Sequence, residues 1–101
     1  MIIRIHPEAE AEFLHSVDFY SEESFSLAER FIAEFETATD DISFAPMRFP
    51  LFEEGTRIKL LDKFPFSLVF DVVGNEIHIL TVMHQSREPG FWHDRIRDGK
   101  I

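Results

Sequence analysis

The stretch TVMHQSREPGFWHD, residues 81 to 94, gathers the side chains best suited to chemistry. His84 is of the residue type most often used to give or take a proton, and Arg87, three residues on, is a permanent cation. Pro89, Phe91, Trp92 and His93 follow, which sets large aromatics beside that charge. Two further cations, Arg57 and Lys59, stand at alternate positions of RIKLL, a spacing that puts both on one face of a strand. Plainer readings compete with each. Isolated histidines are more often surface or structural groups than acids or bases. Phe91 and Trp92 gain a few kcal/mol by folding back as an apolar lid over a sheet edge, and stacking on a base is the alternative. The histidines show no tight ligand spacing, and His78 and His84 lie too far apart along one strand to share an ion, so neither a metal nor a cofactor is expected.

The elements that must position these residues change hydrophobic period near the middle of the chain. Ile2 to Ile5 read as a short strand. Pro7 fits the first position of a helix, with Glu8 and Glu10 in a first turn where the helix dipole favours negative charge. This helix is expected to run to about Ser21, with Ala9, Phe13, Val17 and Tyr20 turned inward. Ser21 to Ser26 form the turn, and Ser26 with Glu29 makes a capping box if the second helix starts there. Ala28, Phe31, Ile32, Phe35, Ala38, Thr39 and Ile42 give the second helix one apolar face, and Pro46 and Pro50 end it. The two helices form an antiparallel hairpin whose outer face carries most of the acid.

The second half alternates with a period of two. RIKLL (57 to 61), FSLVFDVV (66 to 73) and EIHILTVM (76 to 83) read as three strands, the last two joined by a Gly74-Asn75 hairpin turn. That turn sets Val73 against Glu76, Val72 against Ile77, Phe70 against Ile79, Leu68 against Thr81 and Phe66 against Met83, so one face is an apolar wall for the helices. Ile58 and Leu60 are expected on the same wall. The other face then carries Arg57, Lys59, His78 and His84, with Arg87 at its rim: a concave, locally basic surface. Asp71 and His78 fall opposite one another and read as a cross-strand pair. Val69, Leu80 and Val82 lie on that open face too, and if exposed they form a patch for a partner segment to cover. The fold class expected is α+β: an N-terminal strand, then a helix hairpin packed on one face of a mainly antiparallel sheet completed by the three-strand meander.

Composition narrows the setting. The 101 residues, without a Gly/Ser-rich or Pro-rich break, make one domain, 1–101, with twelve phenylalanines for its core. No cysteine is present, which excludes disulfides and thiolate metal sites and suggests a reducing cytoplasm, and no secretory or membrane-spanning stretch is read. Residues 1–54 hold 3 Arg against 13 acids, net -10, and residues 55–101 hold 7 Lys and Arg against 6 acids, net +1, which sums to the overall -9. Phosphate binding rests on Lys and Arg, so only the second half suits it.

Taken in order, these features resemble the RelE/ParE superfamily of toxins from bacterial type II toxin–antitoxin modules, with the ParE-like subgroup the nearer. The likeness covers nearly the whole chain. It rests on Arg57 opening the first meander strand, Phe64-Pro65-Phe66 before the second, and Val82-x-His84-x-x-Arg87-x-Pro89-x-x-Trp92 after the last. Tyr20 near the end of the first helix, LAERF (Leu27 to Phe31) in the second and Pro46 after it agree. The resemblance implies a growth-inhibiting toxin held inactive by a cognate antitoxin, whose extended or helical C-terminal segment wraps the toxin's sheet and helices; Val69, Leu80, Val82, Arg87 and Trp92 are the residues expected to meet it. The target it implies is DNA gyrase for ParE-like members, or ribosome-bound mRNA for RelE-like nucleases. Cleavage would draw on His84 as acid or base and on Arg57, Lys59 and Arg87 as cations for the phosphate charge. RelE-like nucleases often carry a tyrosine near the C-terminus, and Tyr20 is the only tyrosine here, so the gyrase reading leads. An inactive, toxin-like binding module is the third possibility.

Overall fold

The computed structural model describes residues 1–101, and its first helix begins where the sequence places it. Pro7 opens α1 (Pro7–Glu23), where its missing N–H would have had no helical partner. His6 caps this end, its Nδ1 accepting the Glu8 N–H at 3.1 Å. Ser24 closes α1 and opens α2 (Phe25–Phe44) in one residue: its N–H donates to the Tyr20 carbonyl at 3.0 Å and its Oγ accepts the Leu27 N–H at 3.0 Å. The expected capping box at Ser26 and Glu29 is therefore not the start of α2. An extended Ser24 reverses the chain first and leaves Ser26 inside the first turn. Ser24→Ala is expected to lower stability by about 1 kcal/mol, which scanning calorimetry would register as a fall of roughly 4–8 °C.

Ala28, Phe31, Phe35, Ala38 and Ile42 are buried on α2, and Ala9, Phe13, Val17 and Tyr20 of α1 pack against the same core. Phe31 is its hub, with ring centroids 5.2 Å from Tyr20, 5.2 Å from Phe64 and 5.4 Å from Phe66. Both helices cover one face of a four-stranded sheet of order β1-β4-β3-β2, made of β1 (Ile2–Ile5), β2 (Arg57–Leu60), β3 (Phe66–Val73) and β4 (Glu76–His84). β1 runs parallel to β4, and the meander strands are antiparallel.

The Gly74 turn, at φ 61°, sets the register as expected from Val73 opposite Glu76 to Phe70 opposite Ile79. There the alternation breaks. A bulge gives β4 one residue more than β3, so Leu68 lies opposite Val82 and Phe66 opposite His84, in place of the expected Thr81 and Met83. The slip turns Val82 inward to the helix-side core and carries His84 to that side with it. β2 has the opposite parity to that expected as well: Ile58 lies beside Val69, while Arg57 and Lys59 lie beside Phe70 and Leu68 of the helix-side face.

The other sheet face is not open. Val69 and Leu80 are fully buried beneath Trp92, with Phe52, Ile58, Met83, Phe91 and Ile96 packed around them. The expected exposed patch of Val69, Leu80 and Val82 is thus absent: residues after β4 fold back across Val69 and Leu80, and the bulge turns Val82 into the helix-side core. Trp92, with no exposed surface, stacks on Phe52 at 6.0 Å, which is the apolar lid that its size favours.

Candidate functional site at the end of the fourth strand

Past Ile79 no strand flanks the outer edge of β4. β1 pairs only as far as Ile5 opposite Ile79, and the His6 N–H to Ile79 carbonyl bond at 2.9 Å ends that ladder. Buried backbone groups need partners, and two side chains supply them. Glu12 Oε1 accepts from Thr81 Oγ1 at 2.7 Å and from the Val82 N–H at 3.1 Å. Arg95 grips the same carboxylate from Nη1 and Nη2 at 3.0 and 2.9 Å, and donates from Nη1 to the Leu80 carbonyl at 3.0 Å. This clamp holds the bulge. Arg95 is buried, and the segment around it is tied down by His93 to Glu53 at 2.7 Å, Arg97 to Asp71 at 3.1 Å and His6 to Asp98 at 2.8 Å.

Beside the clamp, a groove of about 710 Å³ runs between α1 and the end of β4. Its apolar wall includes Phe19, Phe66 and Met83, and its polar lining includes His15, His84 and Arg87. The His84 ring meets Phe66 edge-on at 5.3 Å. Its Nδ1 is engaged by the Ser86 N–H at 3.1 Å and Oγ at 2.7 Å, which leaves Nε2 without a protein partner. Arg87 lays its guanidinium 3.9 Å over the Phe91 ring, and its carboxylate neighbour is the exposed Glu88 at 3.9 Å. Tyr20 lines the groove as well, and burial pushes its phenol above the ordinary range, so it stays protonated.

Of the residues picked from sequence, the fold therefore brings His84 and Arg87 together and keeps Arg57 and Lys59 apart from them. Arg57 Nη1 donates to the carbonyls of Met47 and Phe49 at 3.2 and 2.7 Å, and Lys59 Nζ lies 5.9 Å from the Phe49 ring. Both sit on the edge strand β2, with β3 between them and His84. The shared basic face of Arg57, Lys59, His78 and His84 does not form. Asp71 and His78 do oppose one another in register, yet their side chains engage Arg97 and Glu76. Glu12 and Arg95 escaped the sequence reading. The signal for Glu12 was present: a carboxylate three residues after Ala9 and one before Phe13, inside the inward stripe of α1.

Two carboxylates are held below their ordinary range. His6 is the main cause for Asp98, followed by the Lys100 N–H, and His78 and then Arg4 lower Glu76. A depressed folded value means that both groups add stability above the unfolded pKa and lose it as pH falls through the folded one. The urea midpoint is expected to drop as pH falls below about 4, and Asp98→Asn to flatten part of that drop. An unchanged profile in Asp98→Asn would show the His6 contact to be without weight.

Residues 3–89 match the family model described as ParE toxin of type II toxin-antitoxin system, parDE. A chain of the chromosomal ParDE TA system from P. aeruginosa has the same fold, with a TM-score of 0.73 at 23% identity over 83% of this chain and 95% of that one. No curated protein matches the chain in sequence. No helix is long and apolar enough to cross a membrane. The family match ends at Pro89, so Trp92, which seals the second sheet face, and Arg95, which grips Glu12, lie beyond it.

Proposed function

We infer that this chain inhibits growth by binding a protein target, DNA gyrase, from the premise that it belongs to the ParE toxin family of type II toxin–antitoxin systems. A cognate antitoxin neutralises it, and the bacterial cytoplasm is where toxin, antitoxin and gyrase meet. The observation that carries the reading is the dispersal of the catalytic set. Cleaving RNA needs an acid, a base and fixed cations converging on one phosphate. Here Arg57 is engaged by backbone carbonyls and Lys59 stands over Phe49, both on the far edge strand from His84. A gyrase poison needs a surface, and exposed Arg87 beside the groove supplies part of one. Val69, Leu80 and Trp92, being buried, offer a partner no surface of their own.

The runner-up, a ribosome-dependent mRNA nuclease, draws support from one feature: the free Nε2 of His84, Arg87 and the protonated Tyr20 phenol line the same groove. Inducing the chain alone in a bacterium and assaying both plasmid supercoiling and RNA integrity separates the two. Arrested growth with altered supercoiling and intact mRNA is expected. His84→Gln, which keeps size and hydrogen bonding, should still arrest growth, whereas Arg87→Ala should weaken the arrest. RNA cuts by the purified chain on ribosomes, lost in His84→Gln, would install the nuclease reading instead. No arrest at all, with an antitoxin still bound, would mark an inactive toxin-like module.

A further inference from the structure

The two outer strands of the sheet are finished differently. On β2 the free edge is blunted: the strand carries Arg57 and Lys59, the Ile58 N–H is taken by the Pro50 carbonyl at 3.2 Å, and Leu51 bridges to Arg57. The edge of β1 has no such cover. Its sequence, Ile2-Ile3-Arg4-Ile5, holds one charge, no proline and no bulge. The Ile2 N–H donates to the Asn75 carbonyl at 3.4 Å and the His6 N–H to the Ile79 carbonyl at 2.9 Å, so the even-numbered residues turn their backbone to β4. Ile3 and Ile5 therefore turn theirs outward. No other group of the chain bonds them there, and beside this edge Met1 and Ile2 are 48% and 51% exposed. An unpaired apolar edge is a template for another strand.

The strand that fits it is β1 of a second copy. In an antiparallel pair, outward residues must oppose outward residues, which leaves few registers for self-pairing. With Ile5 on the two-fold axis, Ile3 would meet Pro7, which has no N–H and already begins α1. With Arg4 on the axis, two like charges would lie directly opposite one another. An axis through Ile2 would leave Ile5 unpaired. We propose that two copies pair their β1 edges about an axis through Ile3, which joins both four-stranded sheets into one continuous sheet. Ile3 then exchanges hydrogen bonds with Ile3 of the second copy, Ile5 faces Met1, and Arg4 faces Ile2. The Met1 carbonyl accepts from Ser43 Oγ at 2.7 Å and keeps its other lone pair for the Ile5 N–H. Each Arg4 retains its own Glu76 at 3.0 Å, so no charge is buried unpaired. The groove beside α1 stays open in such a dimer, because β1 reaches only as far as Ile79. This pairing rests on the strand edge and not on the toxin reading.

Sedimentation equilibrium of the intact chain tests this. So short a strand makes a small interface, and a dimer that forms at about 100 μM and dissociates on dilution is expected. Ile3→Pro removes an N–H that β4 does not use, so the fold is kept while the dimer is lost. Ile3→Ala is the control for packing: it keeps the N–H and should still dimerise. Ile2→Lys changes an exposed residue and sets a second cation opposite Arg4 at both ends of the pair, which should weaken association by about tenfold. It decides the matter if Ile3→Pro fails to fold. The chain has no cysteine, so mild oxidation of Ile3→Cys should give a covalent dimer, and of Arg4→Cys should not. A monomer at 100 μM, a folded Ile3→Pro that still dimerises, an Ile2→Lys with unchanged association, or cross-linking through Arg4→Cys in place of Ile3→Cys would each overturn the proposal.

Discussion

Arg95→Ala is expected to remove a large share of the stability of the chain, about 3–5 kcal/mol out of a total that for domains of this size is roughly 5–15 kcal/mol. The reason lies in what the guanidinium leaves behind. Glu12, with its side chain 21% exposed, would keep its charge without its cation, and the Leu80 carbonyl would lose its donor at the bulge. The tail would lose its central anchor at the same time. Glu12→Ala should be nearly as damaging, since it strips acceptors from Thr81, Val82 and Arg95 together. The double variant should be less destabilised than the sum, because the two single changes break the same pair. Urea unfolding of the four proteins measures this. A loss below about 1 kcal/mol for Arg95→Ala would place the pair among ordinary surface bridges and remove it as the cause of the bulge.

That clamp also explains which parts of the fold could be seen in the sequence. The helices were legible from Ala9 to Tyr20 and from Ala28 to Ile42, since each stripe repeats at helical spacing and needs only a local rule. The register near Gly74-Asn75 was legible for the same reason, as far as Phe70 opposite Ile79. The bulge was not, because the groups that stabilise it come from far along the chain: Glu12 lies 69 residues before Thr81, and Arg95 lies 83 residues after Glu12. An alternating pattern gives no sign of one inserted residue when Leu80, Thr81 and Val82 all end up buried. His84 consequently changed sides. It lost the company of His78 and gained that of α1, and this moved the candidate site from the sheet face to the groove.

Strand β2 misled for a different reason. In a strand of four residues, Ile58 and Leu60 alternate with Arg57 and Lys59, and sequence favours placing the aliphatic pair in the core. Two cores exist here, one on each sheet face, and Ile58 serves the second. Arg57 can face the helix side because the carbonyls of Met47 and Phe49 satisfy its guanidinium. Leu60 is left 52% exposed near the end of an edge strand. The existence of a second core was signalled by Phe91 and Trp92, whose burial required something apolar beneath them.

Trp92→Ala should therefore act on the fold before it acts on any partner. The indole is fully buried, stacked on Phe52 and packed over Val69 and Leu80, and removing it opens a cavity in the smaller of the two cores. Truncating a buried tryptophan costs about 3–5 kcal/mol, enough to lower the melting temperature by well over 10 °C in a chain of this size. Trp92→Phe keeps an aromatic over Val69 and Leu80 and should cost about half as much or less. This pair of variants discriminates between structural and recognition roles. If Trp92 acts only as a lid, growth arrest at a temperature where Trp92→Phe remains folded should equal that of the parent. If Trp92→Phe is folded and yet fails to arrest growth, the indole itself meets the target and the tail must leave the sheet for it to do so. Loss of arrest in Trp92→Ala alone decides nothing about recognition, since the exposed Val69 and Leu80 face would by then be part of an unfolding chain.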